Sequence, residues 1–318
     1  MKSAGNKRWK LDRSLIRRGG AELTSPFDGS RVSISWSVNS APAPRLPISI
    51  VECRIEGLGR EVHGFGDHLL FSASLTQAYA EAWERFWYLE ARSRQEPQSR
   101  ARSSNGFASG ATEAEAADSA RAELIERSVL LAAWDSRRGW ARAQVCGLLN
   151  RVRLAAIERF GWKAAFFRLT ESVLGEVHCG LAIRGRAGGA LFDACYRRPN
   201  MSGSDVQGKL LRSLLRSAAV FDKRPRTAAP LPPSGGPSSH ADFYLDPENM
   251  AAFRFLDDGP QRDFRVDLGS YDRVATRTIV NIPGYPVVAM AENPAWPLLS
   301  WGKESLKMGG NPWPHPLA

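Results

Sequence analysis

The order of hydrophobic patterns along the 318 residues predicts an α+β fold. Val32-Ser33-Ile34-Ser35-Trp36-Ser37-Val38 alternates strictly, which is the period of a half-buried strand. Leu75, Ala78, Tyr79, Ala82, Trp83, Phe86 and Trp87 recur at helical spacing and give one apolar helix face. The second half carries strand and helix patterns in mixed order rather than as regular strand–helix units.

Taken in order, residues 1–30 are basic and irregular, an arm or an edge element, and residues 31–318 form the folded domain. Ile48 to Ile55 is rich in β-branched residues and reads as a second strand. Gly64-Phe65-Gly66-Asp67-His68 reads as a glycine-punctuated turn, followed by the aromatic helix from about Ser74 to Ser93. A polar loop covers 94–104, and Asn105 to Gly110 is small and turn-prone. Thr112 with Glu115 three residues on is a capping box, and it starts a helix that runs to about Arg138 and stops at Gly139. A helix over Cys146–Phe160 leads to strands at Lys163–Leu169, Glu176–Ile183 and Ala190–Cys195, then to a helix over Asp205–Asp222. The run 224–239 is proline-, glycine- and serine-rich and reads as a flexible loop. Strands at Thr276–Ile282 and Tyr285–Met290 precede a proline-rich tail that ends Pro314-His315-Pro316-Leu317-Ala318.

Composition narrows the classes. With 43% hydrophobic and 24% charged residues the chain can bury a core, which excludes disorder as its general state. Its longest apolar runs are interrupted by charge well before a bilayer is spanned, so no membrane is expected. Lys+Arg exceed Asp+Glu by 43 to 33, which raises nucleic acid as a partner. The charge is nearly all arginine, scattered along the chain without any nucleic-acid-binding motif, and nucleic acid is not expected. Cys53, Cys146, Cys179 and Cys195 show no paired spacing and read as small core residues. The N-terminus has no apolar segment behind its basic residues, and the expected compartment is the cytoplasm.

One pentad occurs twice, as Glu81-Ala82-Trp83-Glu84-Arg85 and as Glu123-Leu124-Ile125-Glu126-Arg127. Each places two carboxylates on one helix face, where like charges repel unless a cation offsets them. Four such oxygens suit Mg²⁺, with Arg85 and Arg127 placed to neutralise a carboxylate or grip a phosphate. The same pentad is also an ordinary solvated pattern of good helix formers, and spacing alone leaves both readings open. Ser103 to Gly110, small residues ahead of a helix, is either an anion cradle or a plain turn.

These residues resemble a known family. Ser104-Asn105-Gly106-Phe107-Ala108-Ser109-Gly110-Ala111-Thr112, Glu115-Ala116 and Glu123–Arg127 are similar to the hallmark stretch of the YcaO superfamily, and Ala80–Arg85 to its first acidic helix. Pro314-His315-Pro316 resembles the tail of its azoline-forming members. The resemblance implies a single YcaO-like domain of mixed sheets and packed helices, with a nucleotide held between the two acidic helices. It implies ATP and Mg²⁺ as cofactors, and phosphorylation of a backbone amide oxygen of a ribosomally made precursor peptide. The product is an azoline by cyclodehydration, an amidine or a thioamide. Glu81, Glu84, Glu123 and Glu126 would hold the metal. Arg85, Ser104, Asn105, Arg127 and Lys223 would contact the nucleotide, and Glu81, Glu126 and His315 would take part in catalysis.

The sequence departs from the family at several positions. Asp67 and His68 follow Gly66 where the family has a lysine between glycines, Gln77 replaces a serine, and Ser119 a Gln or His. Arg216 and Ala219 stand where a Glu and a Gln are usual. These departures motivate an alternative, a degenerate YcaO-like scaffold or regulatory subunit of a peptide-modifying complex. Nothing resembles a leader-binding module, so a separate leader-binding or sulfur-delivery protein is the expected partner beside the precursor peptide, with a homodimer as a further candidate. The purified chain alone is therefore expected to bind a leader peptide only weakly. Tight unaided binding in a fluorescence-anisotropy titration would contradict this.

Overall fold

The structure is a computed structural model that describes residues 18–41, 48–94, 105–138, 140–171, 175–185, 188–221, 243–257, 268, 273–296, 313 and 315–316. Ser104, Lys223, the loop 224–239 and the first seventeen residues lie outside the described residues. The chain divides into two compact units, one of Met1–Leu124 with Arg273–Asn293 and one of Ile125–Asp272 with Pro294–Ala318.

The first unit holds two antiparallel sheets. Strands β1 (Gly20–Thr24), β2 (Arg31–Ala41), β3 (Ser49–Gly57) and β4 (Arg60–His68) run as a meander in the order β1-β2-β3-β4. Part of the basic N-terminal stretch thus forms an edge strand, with Ala21 opposite Ile34. Leu58 and Gly59 join β3 to β4 with φ of 52° and 69°, the two-residue turn whose twist matches that of the flanking strands. Helix α1 (Phe71–Arg94) packs on β3 and β4 and buries Leu75, Ala78, Tyr79, Ala82, Trp83, Phe86 and Trp87, the stripe expected from the spacing. These aromatics are core. Trp83 is fully buried, stacks on Tyr285 at 4.7 Å and donates its indole N–H to the Pro286 carbonyl at 2.9 Å. Glu90 continues the buried face and is matched there by Arg60 at 3.1 Å and by Arg94.

Gly64 to His68 is the end of β4, not a turn. The glycines are there for packing: a Cβ on Gly64 would overlap the carbonyl oxygen of Ala78, and one on Gly66 that of Ser74. Strand and helix backbones therefore touch, which a side chain on either residue would prevent. Asn105 and Gly106 form a turn as expected, but Phe107 to Gly110 departs from it. Phe107–Gly110 is β5, the outer strand of a second sheet ordered β10-β11-β5, with β10 Ala275–Val280 and β11 Val287–Glu292. Phe107 lies opposite Met290 and Ala108 opposite Ala289. Small residues are favoured because α1 lies close above, where Ser109 Oγ meets the Ala80 carbonyl.

Helix α2 (Glu113–Ser136) starts as the capping box expects. The Glu115 N–H donates to Thr112 Oγ1 at 3.2 Å, and the Glu115 carboxylate accepts the Ala111 N–H at 3.1 Å. The division between the units falls within this helix, after Leu124.

The second unit holds the rest of α2 and a four-stranded antiparallel sheet of β6 (Ala141–Ala143), β7 (Trp162–Glu171), β8 (Gly175–Arg184) and β9 (Ala190–Tyr196) in sequence order. Helices α3 (Leu148–Arg159) and α4 (Gly203–Phe221) pack on it and on each other, and a 3₁₀ segment spans Pro247–Asp257. Trp134 lies at the centre of an aromatic cluster with Trp140, Tyr244, Phe253 and Phe255. Its indole N–H donates to the Trp313 carbonyl at 3.2 Å, which fastens part of the C-terminal tail. Among the described residues no helix is long and apolar enough to cross a membrane.

The close approach of β4 to α1 predicts an asymmetry between two glycine substitutions. Gly66→Ala should lower stability by about 2–3 kcal/mol through overpacking. Gly59→Ala, in open space, should show only the left-handed backbone penalty of about 1 kcal/mol. Urea denaturation of both variants measures this, and equal effects would remove the packing explanation.

Candidate active site

Helical spacing sets Glu81 and Glu84 on one face of α1, and neighbouring strands fix their carboxylates. Glu81 Oε2 accepts the backbone N–H of Phe65 on β4 at 2.7 Å. Its Oε1 pairs with Arg85 Nη2 at 2.6 Å, and Arg85 Nη1 donates to the His63 carbonyl at 2.7 Å. Glu84 Oε2 accepts the N–H of Ser109 on β5 at 3.0 Å. Burial, then the charges of Glu123 and Glu81, hold the Glu84 carboxyl well above the usual carboxylate range, and Arg85 and the Ser109 amide only partly oppose this. The first unit thus brings the charges of Glu81 and Glu123 to bear on Glu84.

One turn beyond Glu123 on α2 the balance differs. Glu126 is buried, and its Oε2 accepts the N–H of Tyr196 at the end of β9, at 2.8 Å. Burial raises its pKa; Arg127, Lys209 on α4 and the Tyr196 amide act against this, while Asp193 on β9 adds to it. Arg127 Nε lies 3.7 Å from Glu126 Oε1. Cys179 and Cys195 are buried in the same unit, and burial pushes the Cys195 thiol up to about 11, so it is not a ready nucleophile.

No family model matches the sequence, and no curated protein matches it. Solved structures do match. The chain is similar to YcaO from Methanopyrus kandleri bound with AMPPCP and Mg²⁺, with a TM-score of 0.55 and 14% identity over 88% of this chain and 87% of that one. It is similar to a chain of the E. coli microcin synthetase McbBCD complex, with a TM-score of 0.57 and 10% identity over 86% and 91% of the two chains. A heterocyclase in complex with substrate and cofactor gives a TM-score of 0.60 and 12% identity over 82% of this chain and 49% of that one. The chain has the YcaO fold.

Within the YcaO fold, the expected residues fall into three groups. Glu81, Glu84, Glu123 and Arg85 come together in the first unit, and Glu126 and Arg127 stand in the second on the continuation of the same helix. Asn105 is buried at the entry to β5, and His315 is buried two residues beyond Trp313. Ser104 and Lys223 lie outside the described residues. At the departures, Asp67 donates its N–H to Gln77 Oε1 at 3.1 Å, and Arg216 Nη2 donates to Ser213 Oγ at 3.4 Å. Cys146, expected in the core, is exposed instead, because it precedes α3 at the surface end of that helix. Sequence reasoning missed Lys209 and Asp193 beside Glu126. Lysine is scarce in this arginine-rich chain, and one placed among the apolar residues of an amphipathic helix was a usable signal.

Mg²⁺ and a nucleotide, which the YcaO fold implies, can be tested against these donors. The glutamates are hard oxygen ligands, and the imbalance around Glu84 is one that a divalent cation relieves. Among the described residues no three His, Cys, Asp or Glu side chains form a ready-made cage. Mg²⁺ usually takes one or two carboxylates and fills its other positions with water and phosphate oxygens. The same imbalance predicts that Glu84→Gln melts at a higher temperature than the parent chain in EDTA, since glutamine keeps an acceptor for the Ser109 amide and removes one of three like charges. Calorimetry or circular dichroism reads this. A lower melting temperature would mean that the carboxylate is already compensated.

Proposed function

We propose that this chain is an ATP- and Mg²⁺-dependent enzyme that activates backbone amides of a ribosomally made precursor peptide, by azoline-forming cyclodehydration or by thioamidation. The observation that carries the reading is that strand amides orient Glu81 and Glu84 on one face of α1, with the charges of Glu81 and Glu123 bearing on Glu84. The likeness in fold to a YcaO bound with AMPPCP and Mg²⁺, to a microcin synthetase and to a heterocyclase supports it.

In this reading Glu81, Glu84, Glu123 and, one turn further along α2, Glu126 are the groups that hold metal. When bound, ATP and Mg²⁺ supply a transferable phosphoryl group and the charge that stabilises it in flight. Arg127 and Lys209 offer positive charge near Glu126. Arg85 braces Glu81. Asn105, with Ser104 and Lys223, belongs to the nucleotide side. His315, already packed rather than free at the terminus, is the tail's candidate for holding a proton at the substrate. A precursor peptide and a separate leader-binding or sulfur-delivery protein complete the system.

A second reading, a scaffold without turnover, is favoured by Arg216, a cation where the resemblance expects a glutamate. Calorimetry with ATP separates the two. The catalytic reading expects binding only with Mg²⁺, lost in both Glu84→Ala and Glu126→Ala. A folded chain that binds no ATP even with partner and peptide present would be the scaffold.

A further inference from the structure

The first turns of helix α3 expose three large apolar residues and bury two polar ones. Its sequence Leu-Leu-Asn-Arg-Val-Arg-Leu-Ala-Ala-Ile-Glu-Arg could bury its leucines and valine, yet Leu148, Leu149 and Val152 are 80%, 43% and 48% exposed. The inward face holds Asn150 and Arg153, 3% and 4% exposed, together with Ala156 and Ile157. The two polar side chains are held there by specific bonds. Asn150 Nδ2 donates to the carbonyls of Cys146 and Ser204, both at 2.9 Å, and Arg153 Nη1 donates to Asn150 Oδ1 at 3.0 Å. Gln207 on α4 completes the anchor, accepting the Cys146 N–H at 2.8 Å and donating to the Gln144 carbonyl. The helix cannot roll its apolar side inward without leaving these buried groups unsatisfied. The outward set is therefore fixed: Leu148, Val152 and Ala155 follow each other along one face, with Leu149 beside them.

A fixed apolar stripe at the surface marks a place where something docks. Charge selects the occupant. The exposed side of the helix carries Arg151 and Arg159 against Glu158, with Arg159 continuing the stripe and Arg151 on its flank. The helix begins at Leu148 after Gly147, so the positive end of its dipole lies beside Leu148. A second copy would bring the same arginines and the same helix ends against each other. We propose that this face of α3 docks an amphipathic segment of a partner protein, with apolar side chains on the stripe and Asp or Glu opposite Arg151, Arg159 and the helix N-terminus. The inference stands on the second unit alone and does not depend on the chemistry proposed above.

Cys146 supplies the reporter. It is exposed next to Leu148, while Cys53, Cys179 and Cys195 are buried, so an environment-sensitive maleimide labels that position in the full chain. The probe is a synthetic helical peptide with leucines along one face and glutamates beside them, compared with its lysine counterpart. The expected result is a blue shift on adding the acidic peptide, weakened by salt, with at least about tenfold weaker binding of the lysine version. Leu148→Ser with Val152→Ser should abolish the response with an unchanged melting temperature, and Arg151→Glu with Arg159→Glu should reverse the preference. Equal binding of both peptides, or a response that survives the Ser variants, overturns the proposal. So does sedimentation showing a dimer of the unlabelled chain that the Ser variants dissociate, which would make this face a self-interface.

Discussion

The arrangement of the candidate site depends on one type of hydrogen bond: a backbone amide on an outer strand donating to a carboxylate on a helix. β4, β5 and β9 are each the last strand of their sheet, and an outer strand leaves every second N–H without a strand partner. In this fold Phe65, Ser109 and Tyr196 direct such amides at Glu81, Glu84 and Glu126. Each bond answers two needs. It satisfies an edge amide that would otherwise be open, and it holds a partly desolvated carboxylate in one orientation. The close contact between β4 and α1, made possible by Gly64 and Gly66, brings the Phe65 amide within reach of Glu81.

Orientation is separate from charge balance, and the two ends of the acidic stretch on α2 differ in the second. At Glu84 the charges of Glu123 and Glu81 oppose ionisation, and Arg85, itself paired with Glu81 and the His63 carbonyl, favours it. Around Glu126 the chain supplies Arg127 and Lys209.

The same logic of satisfied polar groups explains α3. Buried amide and guanidinium groups outrank leucine burial once they are tied to α4 and to the turn before the helix, because breaking buried hydrogen bonds costs more than an exposed leucine loses. Composition and hydrophobic periodicity could not foresee this, since both assume that apolar residues face inward.

What the sequence by itself determined is the local structure that repeats. The alternation at 32–38, the aromatic stripe of α1, the Thr112 and Glu115 cap and the helix and strand pattern of the second half all appear as read, because each rests on spacing within one element. The carboxylate pairs were legible for the same reason, since i and i+3 share a helix face wherever the helix goes. The tertiary structure decided the rest. Gly64 to Gly66 and Phe107 to Gly110 read as turns because small residues mark turns in isolation, and became strands because a helix lies against them. Lys209 and Asp193 reach Glu126 from distant positions, and Cys146 is exposed by the path of the chain before α3. The three donating amides leave no trace in side-chain identity at all: every residue but proline has one, and only strand order determines which of them face a carboxylate.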